Sequence, residues 1–104
     1  MKLTTETRAK LKSEYPSVKL TVATVKDRKG TEHDFVFQEI DRETSDISSK
    51  EVQNSPNKAL EIEMTNSCVF GDKTIVTNDL SLFNGLRAKW RDIQKPCEVR
   101  LGEL

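Results

Sequence analysis

The sequence predicts a small α+β domain, a β-hairpin near its start followed by three to four helices. Two stretches before residue 40 alternate apolar and polar residues with a period of two, around a polar turn that ends in glycine. Two later stretches repeat apolar residues every three to four positions, and each carries a capping residue and a stop. Strands first and helices after is the pattern of an α+β layer architecture.

The chain has 104 residues, one domain by length, and we read 1–104 as that domain. Thr4–Tyr15 predicts a short helix capped by Thr4 or Thr5, with Glu6 at its positive end and Leu11 and Tyr15 four apart. Its apolar face is thin, so residues 1–15 are expected to form a loosely held helix that Pro16 ends. Val18–Val25 predicts a strand. Val18, Leu20 and Val22 share one parity, Ala23 and Val25 the other, and a bulge or a strongly twisted strand would explain the slip. Asp27–Gly30 is a turn. Thr31–Gln38 is the return strand, with His33, Phe35 and Phe37 on one face and Asp34 and Val36 on the other.

Asp41 caps a weak helix to about Gln53, with Ile40, Ile47 and Val52 as its apolar residues. Asn54-Ser55-Pro56 separates it from the helix expected to be most buried. Ser55 caps that helix, Pro56 opens it, and Leu60, Met64 and Cys68 run along one face beside Ala59, Ile62 and Val69. Gly71 is expected at positive φ as its terminator. Asn66, Cys68, Gly71 and Asp72 are thus structural before anything else. Val69–Thr77 is read as a connection with an apolar tether at Ile75-Val76. Asn78 caps a last helix, Asp79 to about Gln94, where Phe83, Leu86, Trp90 and Ile93 share a face. Arg87, Arg91 and Lys95 form a second row, and Pro96 stops the helix. Cys97, Val99 and Leu101 alternate as in a strand, although Cys97, Leu101 and Leu104 also suit a helical turn.

Only 35% of residues are apolar and 33% are charged, a well-solvated mixture for a domain of this size. Lysine plus arginine equals aspartate plus glutamate, and the pI is about 6.6, so a sequence-blind nucleic-acid binder is not expected. The first residues carry charge but no apolar core of a signal peptide, and no stretch has the ~20 apolar residues of a membrane span. A cytoplasmic protein is expected, with Cys68 and Cys97 reduced and no metal bound.

No constellation of catalytic residues presents itself. The one histidine, His33, sits on a strand, and no metal, nucleophile-elbow or phosphate-loop motif occurs. Neither an enzymatic activity nor a cofactor is expected. The Arg87, Arg91, Lys95 row has a plain reading as the outer face of an amphipathic helix, and a functional one as a contact for an acidic partner. Trp90 could anchor an interface, though its spacing suits a core.

In their order these pieces resemble the small tail assembly chaperones of bacteriophages and prophages. The likeness runs from about Leu11 to Leu104. It rests on LKSEYPSVKLTV, on F-x-x-I-D-R-E at Phe37–Glu43, and on N-x-C-x-x-G-D at Asn66, Cys68, Gly71 and Asp72. Asp79, Leu80 and Phe83 then open a helix, and a charged tail follows. The resemblance implies a non-enzymatic factor in the cytoplasm of the bacterial host. It would bind the tape measure protein, shielding it from aggregation until the tail tube forms around it. Leu82, Arg87, Trp90, Arg91 and Lys95 are the expected contact residues, with self-association at high concentration and no nucleic acid or membrane partner. Alternative readings are a structural minor tail or head-completion protein, and a small DNA-associated regulator.

Overall fold

The hairpin forms as its alternation requires. Strand β1 spans Leu20–Lys26 and β2 spans Glu32–Gln38, antiparallel, from Leu20↔Gln38 to Lys26↔Glu32. The structure, a computed structural model, describes residues 1–104. The intervening turn is closed by Asp27, whose Oδ1 accepts from the N–H groups of Lys29 and Thr31, both at 2.9 Å. Gly30 completes it at φ +85°.

Of the two explanations for the slip in β1 the bulge is absent, because the register is unbroken. Ala23 and Val25 pack against the core, whereas Val22, of the other parity, is 42% exposed. On β2, Phe35 and Phe37 on one face and Asp34 and Val36 on the other are all buried.

Helix α1 spans Thr5–Glu14, with Thr4 capping the N–H of Thr7 and Leu11 as its buried residue. Helix α2 spans Arg42–Glu51, capped by Asp41, and packs against α3, Pro56–Ser67. The buried face of α2 is Thr44 and Ser48, small residues that allow close approach. Ile47 and Val52 are exposed, as suits a thinly patterned helix, whereas Ile40 packs against the core.

Helix α3 ends at Ser67, not at Gly71. Thr65 and Ser67 hydroxyls donate back to the carbonyls of Glu61 and Glu63, at 2.9 and 2.7 Å, and so compete with helix continuation. Cys68–Phe70, with a β-branched and an aromatic residue, then extends as strand β3 against β2. Val69 is the extra residue where the pairing shifts between Val36↔Phe70 and Phe37↔Cys68. The sheet order is β1-β2-β3.

Gly71 does have positive φ, +124°, but it serves the exit from β3 rather than a helix cap. The stretch read as a connection holds helix α4, Lys73–Asn78, capped by Asp72. Helix α5 follows at Leu80–Ile93, and its cap is Asp79, since Asn78 is still helical. The count is therefore five helices and three strands, more than the three to four helices expected. Residues 95–104 form neither helix nor strand. None of the helices is long and apolar enough to cross a membrane.

The core lies between one sheet face and the helices. Phe35, Phe37, Met64, Cys68 and Val76 meet Leu82, Phe83, Leu86 and Trp90 there. Four of these nine come from α5, so the last helix, not α3, supplies the largest share. The end of α5 is tied to the strand exit by one side chain. Gln94 Nε2 donates to Gln38 O at 2.8 Å, and its Oε1 accepts from Ile40 N–H at 3.1 Å. The radius of gyration is 15.2 Å, against the ~13 Å of a compact chain this long, and Val99, Leu101 and Leu104 near its end are exposed.

Candidate interaction surface

Alternate faces of α5 have opposite fates. Leu82 and Trp90 are 2% and 6% exposed, which withdraws both from any contact with a partner. Trp90 packs edge-on against Phe37 with ring centroids 5.0 Å apart, and its indole N–H donates to Glu63 Oε1 at 3.2 Å. A buried tryptophan needs such a partner for its polar tip. Leu82 looked like a flank residue because it precedes Phe83, but both turn inward at the start of the helix.

Arg87 and Arg91 stand on the outer side of α5, with Lys95 just beyond its end, all exposed. No carboxylate lies within 4 Å of any of them; Arg87 Nη1 donates to the Asn57 side chain of α3 at 3.2 Å. Leu80, 69% exposed, heads the same stripe: positions 80, 84, 87 and 91 fall on one side of a helix. The structure thus replaces Leu82 with Leu80 as the apolar member of this surface.

The N-x-C-x-x-G-D residues are brought together at the junction of α3, β3 and α4. Asn66 is exposed on the last turn of α3. Cys68 is buried, its thiol faces Phe70 O at 3.1 Å, and burial pushes its pKa up, the opposite of a reactive thiolate. Asp72 Oδ1 accepts from Thr74 Oγ1 at 2.6 Å and from Thr74 N–H at 3.1 Å, which holds its carboxyl below the usual range.

Other carboxylates are likewise committed within the fold. Asp27 Oδ2 lies 2.9 Å from His33 Nε2, and this contact, with the turn N–H groups, lowers its pKa. Asp34 accepts from Leu3 N–H and Thr24 Oγ1, both at 2.8 Å, and is lowered chiefly by the Leu3 bond. Asp41 is lowered by capping Thr44. Sequence reasoning missed the roles of Asp27, Asp34 and Gln94. The Asp27-x-x-Gly30 spacing could have revealed the first, whereas the other two depend on partners 31 and 54 or more residues away.

No protein-family model matches the chain, and no curated protein or solved structure does so either.

The surface openings are shallow and mostly polar. One lies at the α4–α5 corner among Arg28, Asn78, Asp79, Ser81 and Asn84, and another between α3 and α4 beside Lys58 and Glu61. No group of three or more histidine, cysteine, aspartate or glutamate side chains is placed to hold a metal ion. Chemically, the arrangement offers an outward basic row, Arg87, Arg91 and Lys95, with an apolar head at Leu80.

Proposed function

We propose that this chain is a non-enzymatic assembly factor of the phage tail chaperone kind, acting by reversible binding to a tape measure protein. The observation that carries the reading is the uncompensated row of Arg87, Arg91 and Lys95 running on from Leu80 along α5. A helical client with acidic and apolar residues in register would meet charge for encounter rate and Leu80 for contact. One further feature supports it. The stretch Asn66 to Asp72, on which the resemblance to tail chaperones rests, lies at the junction of α3, β3 and α4.

The test is capture of a co-expressed candidate client, the long coiled-coil product of a neighbouring gene, by tagged parent protein and by two surface variants. Leu80→Asp and Arg87→Glu/Arg91→Glu alter exposed side chains, so both fold. Capture by the parent and its loss in both variants is expected. Undiminished capture by both variants would remove this surface, and failure of the parent to capture would overturn the chaperone reading.

A further inference from the structure

The two edges of the sheet are treated differently. On the β3 side, Phe70 and Cys68 pair with β2, and Asp34 N–H donates to Met1 O at 2.9 Å beyond them. That edge is β3, three residues long and broken by a register shift. Strand β1 is the other edge, seven residues long and unbroken, and nothing pairs with its outer side. Asp27 N–H donates inward to Thr31 O, so by alternation Thr21, Ala23 and Val25 also bond to β2. The backbone groups of Leu20, Val22, Thr24 and Lys26 therefore face outward, a row of donors and acceptors ready for another strand.

Helix α5 overhangs this edge. Gly85, Lys89 and Ile93, at four-residue steps, border a groove whose floor is Ala23 and Val25. Gly85 adds no side chain to it; a Cβ there would reach ordinary contact, 3.9 Å, with Val25 Cγ1. Lys19 and Lys26 mark the two ends of the edge, and Lys89 and Lys95 flank it from the helix side, with Glu39 the one acidic residue at the Lys19 end. Pro96 and Cys97 line that same end, and from there the segment leaves the body. Val99 and Leu101 are 76% and 95% exposed, yet they alternate with Glu98 and Arg100 as in a strand with one apolar face.

An open edge with an apolar floor and a basic rim, and an undocked strand-patterned segment carrying Glu98 and Glu103, are two unsatisfied halves on one chain. We infer that the free edge of β1 takes the segment Cys97–Glu103 of a second copy of this chain as a fourth strand. Seven residues match the seven of Leu20–Lys26. In this structure Val99 and Leu101 are exposed and leave the chain's own groove unfilled, so exchange between two copies would fill both grooves and close the pair about a two-fold axis. Backbone bonds supply affinity and Val99 and Leu101 fill the space beside Gly85. This inference is independent of the chaperone reading.

Light scattering on the full chain, over a dilution series into the high micromolar range, tests it. The parent should be dimeric at the upper end. Val99→Asp/Leu101→Asp changes only exposed side chains and should weaken dimerisation at least roughly tenfold. Val22→Pro removes an outward N–H, sparing the β2 ladder, and should do the same. The tryptophan emission of each variant reports that the fold persists. A monomeric parent, or a dimer unaffected by Val99→Asp/Leu101→Asp, would overturn the inference. Loss with that variant but not with a folded Val22→Pro would overturn the assignment of the groove.

Discussion

Gly71 lies so close to Phe35 that a Cβ on the glycine would stand 2.5 Å from Phe35 Cδ1 and 3.0 Å from Asp34 O. Phe35 is fully buried and cannot give way. The residue also sits at φ +124°, where side chains are strained. Gly71→Ala is therefore expected to cost about 2–4 kcal/mol, overpacking and backbone strain together. Gly71→Val should cost more. Urea titration followed by Trp90 emission measures both. A Gly71→Ala protein as stable as the parent would contradict the close-packing account.

Asp34 holds the first residues of the chain to the sheet through Leu3 N–H and Thr24 Oγ1. Asparagine at this position offers one acceptor oxygen in place of two, so one donor loses its partner. Asp34→Asn should lose about 1–2 kcal/mol. Hydrogen exchange at the Leu3 amide should quicken, while the α3 core amides should change only with global stability. Equal protection of Leu3 in both proteins would show that the tether is not what orders this segment.

The hairpin, the starts of α1, α2 and α3 and their three caps were legible because they depend on neighbours in sequence. Thr4, Asp41 and Ser55 all lie where a side chain can reach the next turn; Asp72, however, was read as part of a stop, so α4 was missed, and Asn78 was read as the cap of α5 in place of Asp79. What was not legible depends on distant partners. Cys68–Phe70 leaves a helical pattern because β2 offers it a ladder. Leu82 carries no local sign of which side of α5 faces the sheet, so surface and core were confused there; Trp90, whose spacing also suited a core, is buried as that spacing implies. The basic row could be placed from spacing alone, but its lack of acidic partners could not.

Acid should destabilise the protein through Asp27, Asp34, Asp41 and Asp72. Each has a folded pKa below its unfolded value, because it accepts hydrogen bonds as the carboxylate. Below about pH 4 the unfolded chain binds more protons than the folded one, so stability falls as pH drops through the folded values. The urea midpoint should be flat above about pH 5 and decline towards about pH 3. A midpoint independent of pH across that range would show that these contacts are energetically neutral.

The two thiols should differ. Cys97 is exposed and Cys68 is buried, with its pKa raised by burial. A thiol reagent should label one cysteine in the folded protein and two after unfolding without reductant. Two rapidly labelled thiols in the folded state would place Cys68 at the surface. A mass two units low would reveal a bridge.

The central claim is that the surface of α5 running from Leu80 to Lys95 keeps a long helical tail protein soluble before assembly. Its most direct measure is the soluble fraction of the candidate tape measure protein expressed alone, with the parent chain, or with the triple variant Leu80→Asp/Arg87→Glu/Arg91→Glu. The account predicts a client that is insoluble alone, largely soluble with the parent, and insoluble again with the folded variant. A client that stays insoluble beside the parent, or that the variant rescues equally well, would contradict it.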